Sequence, residues 1–239
     1  MTKRKNVDDV TSNIPGNEGQ SRKYGMSTLA VHAGARPDPV TGARGTPIYQ
    51  TTSFVFDDAE HGAELFNLQT FGYVYSRMTN PTVSVFEERV AQLEGGRGAV
   101  ATSSGHAAQF IAAATLMEAG DEFIASRNLY GGSVTQFGVS FPKLGWKCNF
   151  VDPTDPANFE KAMNDKVKFI FCEGVANPGG IILDLEKIAD IAHKHGVLLI
   201  VDNTLASPYL LRPFEWGADL VVHSTTKFIG GHGNTMGGI

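Results

Sequence analysis

From residue 80 onward, short apolar runs rich in β-branched residues alternate with helix-like segments, and this alternation restricts the folds open to the chain more than any other feature. Asn80 precedes Pro81, apolar residues recur at Val83, Phe86, Val90 and Leu93, and Gly95 and Gly96 close the segment. These are the cap, period and stop of a helix. Ala99 to Thr102 then reads as a short strand, Gly105 to Ala119 as a buried alanine-rich helix ended by Gly120, and Glu122 to Ser126 as a further strand. Phe169 to Cys172 is another apolar run. Asp184 starts a helix with Leu185, Ile188, Ala189 and Ala192 turned inward, Gly196 ends it, and a strand from Val197 to Asp202 follows. Strands apolar on both faces and separated by helices predict an α/β fold with a mainly parallel sheet.

The remaining sequence narrows the class. At 239 residues the chain is long enough to bury a core, and 42% hydrophobic with 19% charged residues is ordinary for a globular protein. A formal charge of -5 argues against nucleic acid as a partner. No apolar stretch is long enough to span a bilayer. Residues 1–25 read as a disordered polar tail without the apolar segment of a secretory signal. Residues 26–79, with Pro37, Asp38, Pro39, Gly42 and Gly45 and an extended-looking stretch from Ile48 to Phe56, read as an N-terminal arm that packs on another subunit. Residues 80–239 read as the main domain. The chain stops at Ile239 just as a segment begins after Gly237 and Gly238, so a further domain is expected beyond it. Cys148 and Cys172 lack paired spacing, which fits a reducing cytoplasm and argues against a zinc site. His193 and His195 fall on different sides of a helix, so no metal centre is expected there.

Polar residues gather where strands end. Asp202 and Asn203 close the run from Val197 to Val201, and in open α/β sheets that edge is where ligands bind. Lys227 follows the apolar run Ala218 to His223 and precedes Gly230, Gly231 and Gly233, a setting that predicts a buried amine suited to act as nucleophile and base. A lysine able to form a Schiff base and a carboxylate able to pair with a pyridinium nitrogen are the protein's side of pyridoxal 5'-phosphate (PLP) chemistry. Alone, Asp202 would read as a turn former and Lys227 as a surface lysine. Ser104, Gly105 and His106 join a strand to a helix, where backbone N–H groups and the helix dipole favour a phosphate, with Ser224 and Thr226 beside Lys227 to assist. Tyr75 and Arg77 lie just before Asn80, and an arginine fork suits a phosphate. Tyr130 follows a strand and precedes Gly131 and Gly132, which let a flat ring approach the backbone. His223 reads as a packed strand residue. A nicotinamide-binding oxidoreductase, the other reading of an α/β pattern, lacks a Gly-x-Gly-x-x-Gly turn after the first strand.

Taken together, these residues resemble the Cys/Met-metabolism (transsulfuration) family of PLP-dependent enzymes, of the aspartate-aminotransferase fold type. The resemblance runs from about Thr28 to Ile239 and rests on Tyr75 to Thr82, on Ser104 to Ala108, and on Asp202 to Thr204 followed by His223 to Lys227. It implies a seven-stranded-type sheet with helices on both sides. By the same likeness Lys227 holds the cofactor covalently, Asp202 pairs with its ring nitrogen and Tyr130 stacks on its ring. Gly105, His106, Ser224 and Thr226 bind the phosphate, joined by Tyr75 and Arg77 from a neighbouring subunit, with Ser104, Glu173, Asn177 and Thr204 also at the cofactor. At least a dimer follows, and a tetramer built from such pairs.

Within the family the stretches 54–67, 88–108 and 171–180 look most like O-acetylhomoserine sulfhydrylases. That likeness implies γ-replacement on O-acetylhomoserine by sulfide or a thiol, giving homocysteine or methionine, with Lys227, Tyr130 and Asp202 catalytic. Cystathionine γ-synthase or methionine γ-lyase activity, or an inactive fragment of such an enzyme, are the alternatives. The lyases typically carry a cysteine two positions after the stacking tyrosine, where this chain has Gly132. His106 replaces a residue usually smaller or a methionine, Gly174 replaces a usual serine, and the arginine that grips the substrate carboxylate lies in a part of the family fold outside this sequence.

Overall fold

A computed structural model describes residues 24–239; most of the tail expected at 1–25 lies outside the described residues. The described residues divide into two compact units, one of residues 24–93 with 97–99 and the other of 94–96 with 100–239. The helix α3 (Pro81–Glu94) falls almost wholly in the first unit.

In the first unit, α1 (Met26–His32) and α2 (Ala59–Phe66) are helices inside the expected arm. The Asp58 carboxylate caps α2 by accepting the His61 N–H at 2.8 Å. Among the described residues, the stretch read as extended forms one bridge, Ser53 to Tyr75. α3 (Pro81–Glu94) begins where the sequence places it, with Asn80 Oδ1 accepting the Thr82 N–H at 2.9 Å, and Arg89 Nε donates to the Ala33 carbonyl at 2.9 Å to tie α3 to the end of α1.

The second unit is an open sheet of five parallel strands in the order β2-β1-β3-β4-β5. β1 is Glu122–Ser126, β2 Lys147–Val151, β3 Val167–Glu173, β4 Leu198–Asp202 and β5 Leu220–Val222. α4 (Gly105–Leu116) precedes β1, and between the strands run α5 (Gly131–Thr135), α6 (Ala157–Lys161), α7 (Leu185–Lys194) and α8 (Ser207–Leu210). Alternation of side chains along each strand explains why both faces are apolar. Ile124, Ile170, Cys172, Leu199 and Val201 face one core with Ile188 and Ala192 of α7, while Phe123, Ala125, Phe169, Phe171, Ile200 and Val222 face another with Phe137, Phe141 and Ala113. Phe123 stacks on Phe169 with ring centroids 4.7 Å apart.

The sheet departs from expectation in two places. It has five strands among the described residues rather than seven, and Ala99 to Thr102 is not one of them. Thr102 makes a single antiparallel bridge to Gly238, which also bridges Ser224, so the segment lies beside the chain before Lys227 without forming a ladder. The sequence reading also lacked β2, a strand exposed at Lys147 and only half-buried over the next three residues, whose pattern is too weakly apolar to stand out. Among the described residues no helix is long and apolar enough to cross a membrane.

Candidate active site

Strand order turns back between β1 and β3, and the loops leaving such a pair open a crevice at the carboxyl edge of the sheet. Both loops carry polar groups here. Glu173 ends β3, and its two oxygens accept the N–H of Tyr130, from the loop after β1, at 2.7 Å and the N–H of Asn177 at 2.8 Å. One carboxylate thus ties the two loops together. Glu173 pairs in register with Asp202 on β4, which places two carboxylates side by side. Burial, opposed by its two N–H bonds and aided by Asp202, pushes the Glu173 carboxyl up to about 7.

A cavity of 670 Å³ lies over this edge and is lined by Ser104, Gly105 and His106 from the start of α4, by Tyr130, Glu173 and Asn177, and by Asp202, Thr204, Ser224, Thr226 and Lys227. Eleven sequence-predicted residues therefore converge on one cavity. Tyr75 and Arg77 belong to the first unit, where the Arg77 guanidinium lies 5.0 Å from the Tyr75 ring centre.

The individual groups are held in different ways. Asp202 is buried, with Oδ1 accepting the Thr204 N–H at 2.9 Å and Oδ2 accepting from Gln109 Nε2 at 3.0 Å. Ser104 Oγ caps α4 by accepting the Ala107 N–H at 3.1 Å, and its carbonyl takes the Ala108 N–H. The N–H groups of Gly105 and His106 remain as the first-turn donors. A side chain at Gly105 would bring its Cβ 2.7 Å from Ser224 Cβ, so glycine lets α4 rest on Ser224. Thr204 Oγ1 accepts the Ser224 N–H at 2.8 Å. The Thr226 hydroxyl is engaged with Gly237, donating to its carbonyl at 3.2 Å and accepting its N–H at 3.1 Å.

Lys227 corrects one expectation. It lines the cavity but is exposed, as are Phe228 and Met236 on the same wall at 67% and 79%.

Sequence reasoning missed Gln109, which lines the cavity and donates to both Asp202 and Ser133 Oγ, at 3.0 Å each. The signal was present: it is the one amide in an alanine-rich helix, four residues after Gly105 and so on the same face. His223 is packed as expected but lies one position beyond β5, with Nε2 bonded to the buried Glu94 carboxylate, which also accepts from Asn203 Nδ2 at 2.8 Å. His193 and His195 stand on the surface beside Asp219 and Glu160.

The model of the Cys/Met metabolism PLP-dependent enzyme family matches residues 27–239. The chain belongs to this family. It is 50% identical over 225 residues to an O-acetyl-L-homoserine sulfhydrylase of Leptospira meyeri, covering 94% of this chain and 51% of that protein. It is 49% identical over 215 residues to a homocysteine synthase of Schizosaccharomyces pombe, covering 90% and 50%. A solved structure of a putative O-acetylhomoserine (thiol)-lyase from Campylobacter jejuni, containing N'-pyridoxyl-lysine-5'-monophosphate, matches with a TM-score of 0.87 at 39% identity over 90% of this chain and 53% of that one. The α/β parallel-sheet fold is therefore that of this PLP-dependent family. The chain spans about half the length of the curated relatives it matches.

The residues present fit PLP. An amine, a carboxylate and a helix start with two N–H donors share one cavity, and its volume lies within the range of cofactor sites.

Proposed function

We propose that this chain serves a PLP-dependent γ-replacement on O-acetylhomoserine, in which sulfide or a thiol displaces acetate to give homocysteine or methionine. The convergence of Lys227 and Asp202 on one cavity carries the reading. The names of the relatives support the substrate. Bound PLP supplies an electron sink for the substrate's α-carbon.

Lys227 Nζ would hold the cofactor, and its amine would remove and return protons at the substrate's α- and β-carbons. Its openness leaves room for the incoming amine. Asp202 would favour a protonated ring nitrogen, and Gln109 Nε2 holds the carboxylate in place for that task. Tyr130 covers the ring face and assists as acid or base. The Gly105 and His106 amides and the Ser224 hydroxyl hold the phosphate, with Ser104 capping the helix that presents them and Thr226 fixed beside them. Glu173, Asn177 and Thr204 keep the loops around the cofactor in register.

Tyr75 and Arg77 reach the phosphate of a second copy of the chain, in a dimer or a tetramer of such pairs. Val55 and Phe71, fully exposed apolar side chains of the same unit, favour such an assembly. The free thiols Cys148 and Cys172 favour a cytoplasmic setting.

Borohydride reduction with PLP, followed by mass spectrometry, is expected to mark Lys227 alone, and Lys227→Ala to remove the mark. Incubation of O-acetylhomoserine with sulfide, and separately with cysteine, is expected to give homocysteine and little cystathionine. Ammonia and 2-oxobutyrate in place of a thioether or thiol would move the assignment to γ-elimination.

A further inference from the structure

The rings of His106 and Tyr130 lie face to face, with centroids 5.8 Å apart and planes 27° apart. His106 is the second residue of α4 and Tyr130 immediately precedes α5, so the stack joins the starts of two helices on the cavity wall. Gln136 Nε2 donates to the His106 carbonyl at 3.0 Å, but the ring's own Nε2 is buried without a hydrogen-bond partner. The imidazole packs by its ring against Tyr130, and its Nε2 adds no hydrogen bond.

Gly132 lies against both rings. A Cβ there would stand 2.5 Å from His106 Cε1 and 2.6 Å from Tyr130 Cε1, so the two rings would have to shift. The backbone does not ask for glycine at this position: its φ lies outside the left-handed region, and within α5 alanine is the better helix former. The missing side chain is a requirement of the two rings.

We propose that His106 is a positioning residue for Tyr130. Its flat ring sets the tilt at which the phenol faces the cavity, and Gly132 supplies the space in which the two rings meet. The proposal rests on the reading of Tyr130 as the plate over the cofactor ring. What it needs at position 106 is an aromatic face; the unpartnered nitrogen has no part in it.

The test uses the full chain with His106→Ala, His106→Phe, Gly132→Ala and the double variant His106→Ala/Gly132→Ala. Urea unfolding without PLP measures the coupling of positions 106 and 132, and titration with PLP followed by visible absorption and circular dichroism reads the tilt of the ring plate. Gly132→Ala is expected to weaken PLP binding about tenfold in the native background and less than about threefold once His106 is alanine. His106→Phe is expected to keep the visible dichroism that His106→Ala loses. Equal losses from Gly132→Ala in the two backgrounds, or a dichroic band unchanged in His106→Ala, would overturn the proposal. Should the native chain bind no PLP, the cavity reading falls while the unfolding cycle still decides the stack: coupling upholds it, additivity overturns it.

Discussion

Glu173 shows how one residue ties stability to the site. Burial raises its carboxyl from 4.5 to about 7, although it accepts N–H bonds from Tyr130 and Asn177. A carboxyl that binds its proton more tightly when folded contributes stability that is complete below its unfolded value and is lost as pH rises through about 7. The contribution is about 3 kcal/mol at roughly 1.4 kcal/mol per pH unit. Urea unfolding of the cofactor-free chain and of Glu173→Gln, compared from pH 5 to 8, is therefore expected to show the native chain losing ground to the variant as pH rises. A flat difference would mean that Glu173 is ionised throughout. Lys227 teaches the opposite lesson. Its apolar and glycine-rich flanks suggested burial, yet flanks in sequence do not fix what stands above a side chain, and the amine is exposed.

At the scale of elements, the strongest local signals are caps. Asp184 Oδ1 accepts the Lys187 N–H at 3.2 Å, and Leu185, Ile188, Ala189 and Ala192 are buried on the inner face of α7 as their spacing requires. Asp184→Ala is expected to lower stability by about 1 kcal/mol in urea unfolding, with PLP binding unchanged because α7 lies away from the cavity wall. β1 was legible to the residue because it is bounded by charge and turn residues and is apolar between them. Ala99 to Thr102 had the composition of a strand but not its partners: Gly238, more than a hundred positions away, meets Thr102 through a single bridge. Strand propensity describes a half-buried surface, and only the neighbouring chain decides whether a ladder forms.

For the whole molecule, the proposed contribution of Tyr75 and Arg77 to a second copy leads to a complementation experiment. Lys227→Ala and Arg77→Ala are each expected to bind PLP poorly, and mixing the two after joint unfolding and refolding should restore part of the binding, because hybrid pairs contain one intact site. Absence of any recovery, with dimers present by sedimentation, would show that each copy builds its site alone. The sequence by itself determined the alternation of helix and strand, the caps of α3 and α7, and the residue types the cavity needs, because these follow from periodicity and from chemistry carried within a few neighbouring positions. Tertiary structure alone decided the strand order β2-β1-β3-β4-β5, the pairing of Glu173 with Asp202, the reach of Gln109 from α4 to β4, and the meeting of His106 with Tyr130 over Gly132. Each of these joins residues tens of positions apart, and such contacts are set by how the elements pack, which no local pattern encodes.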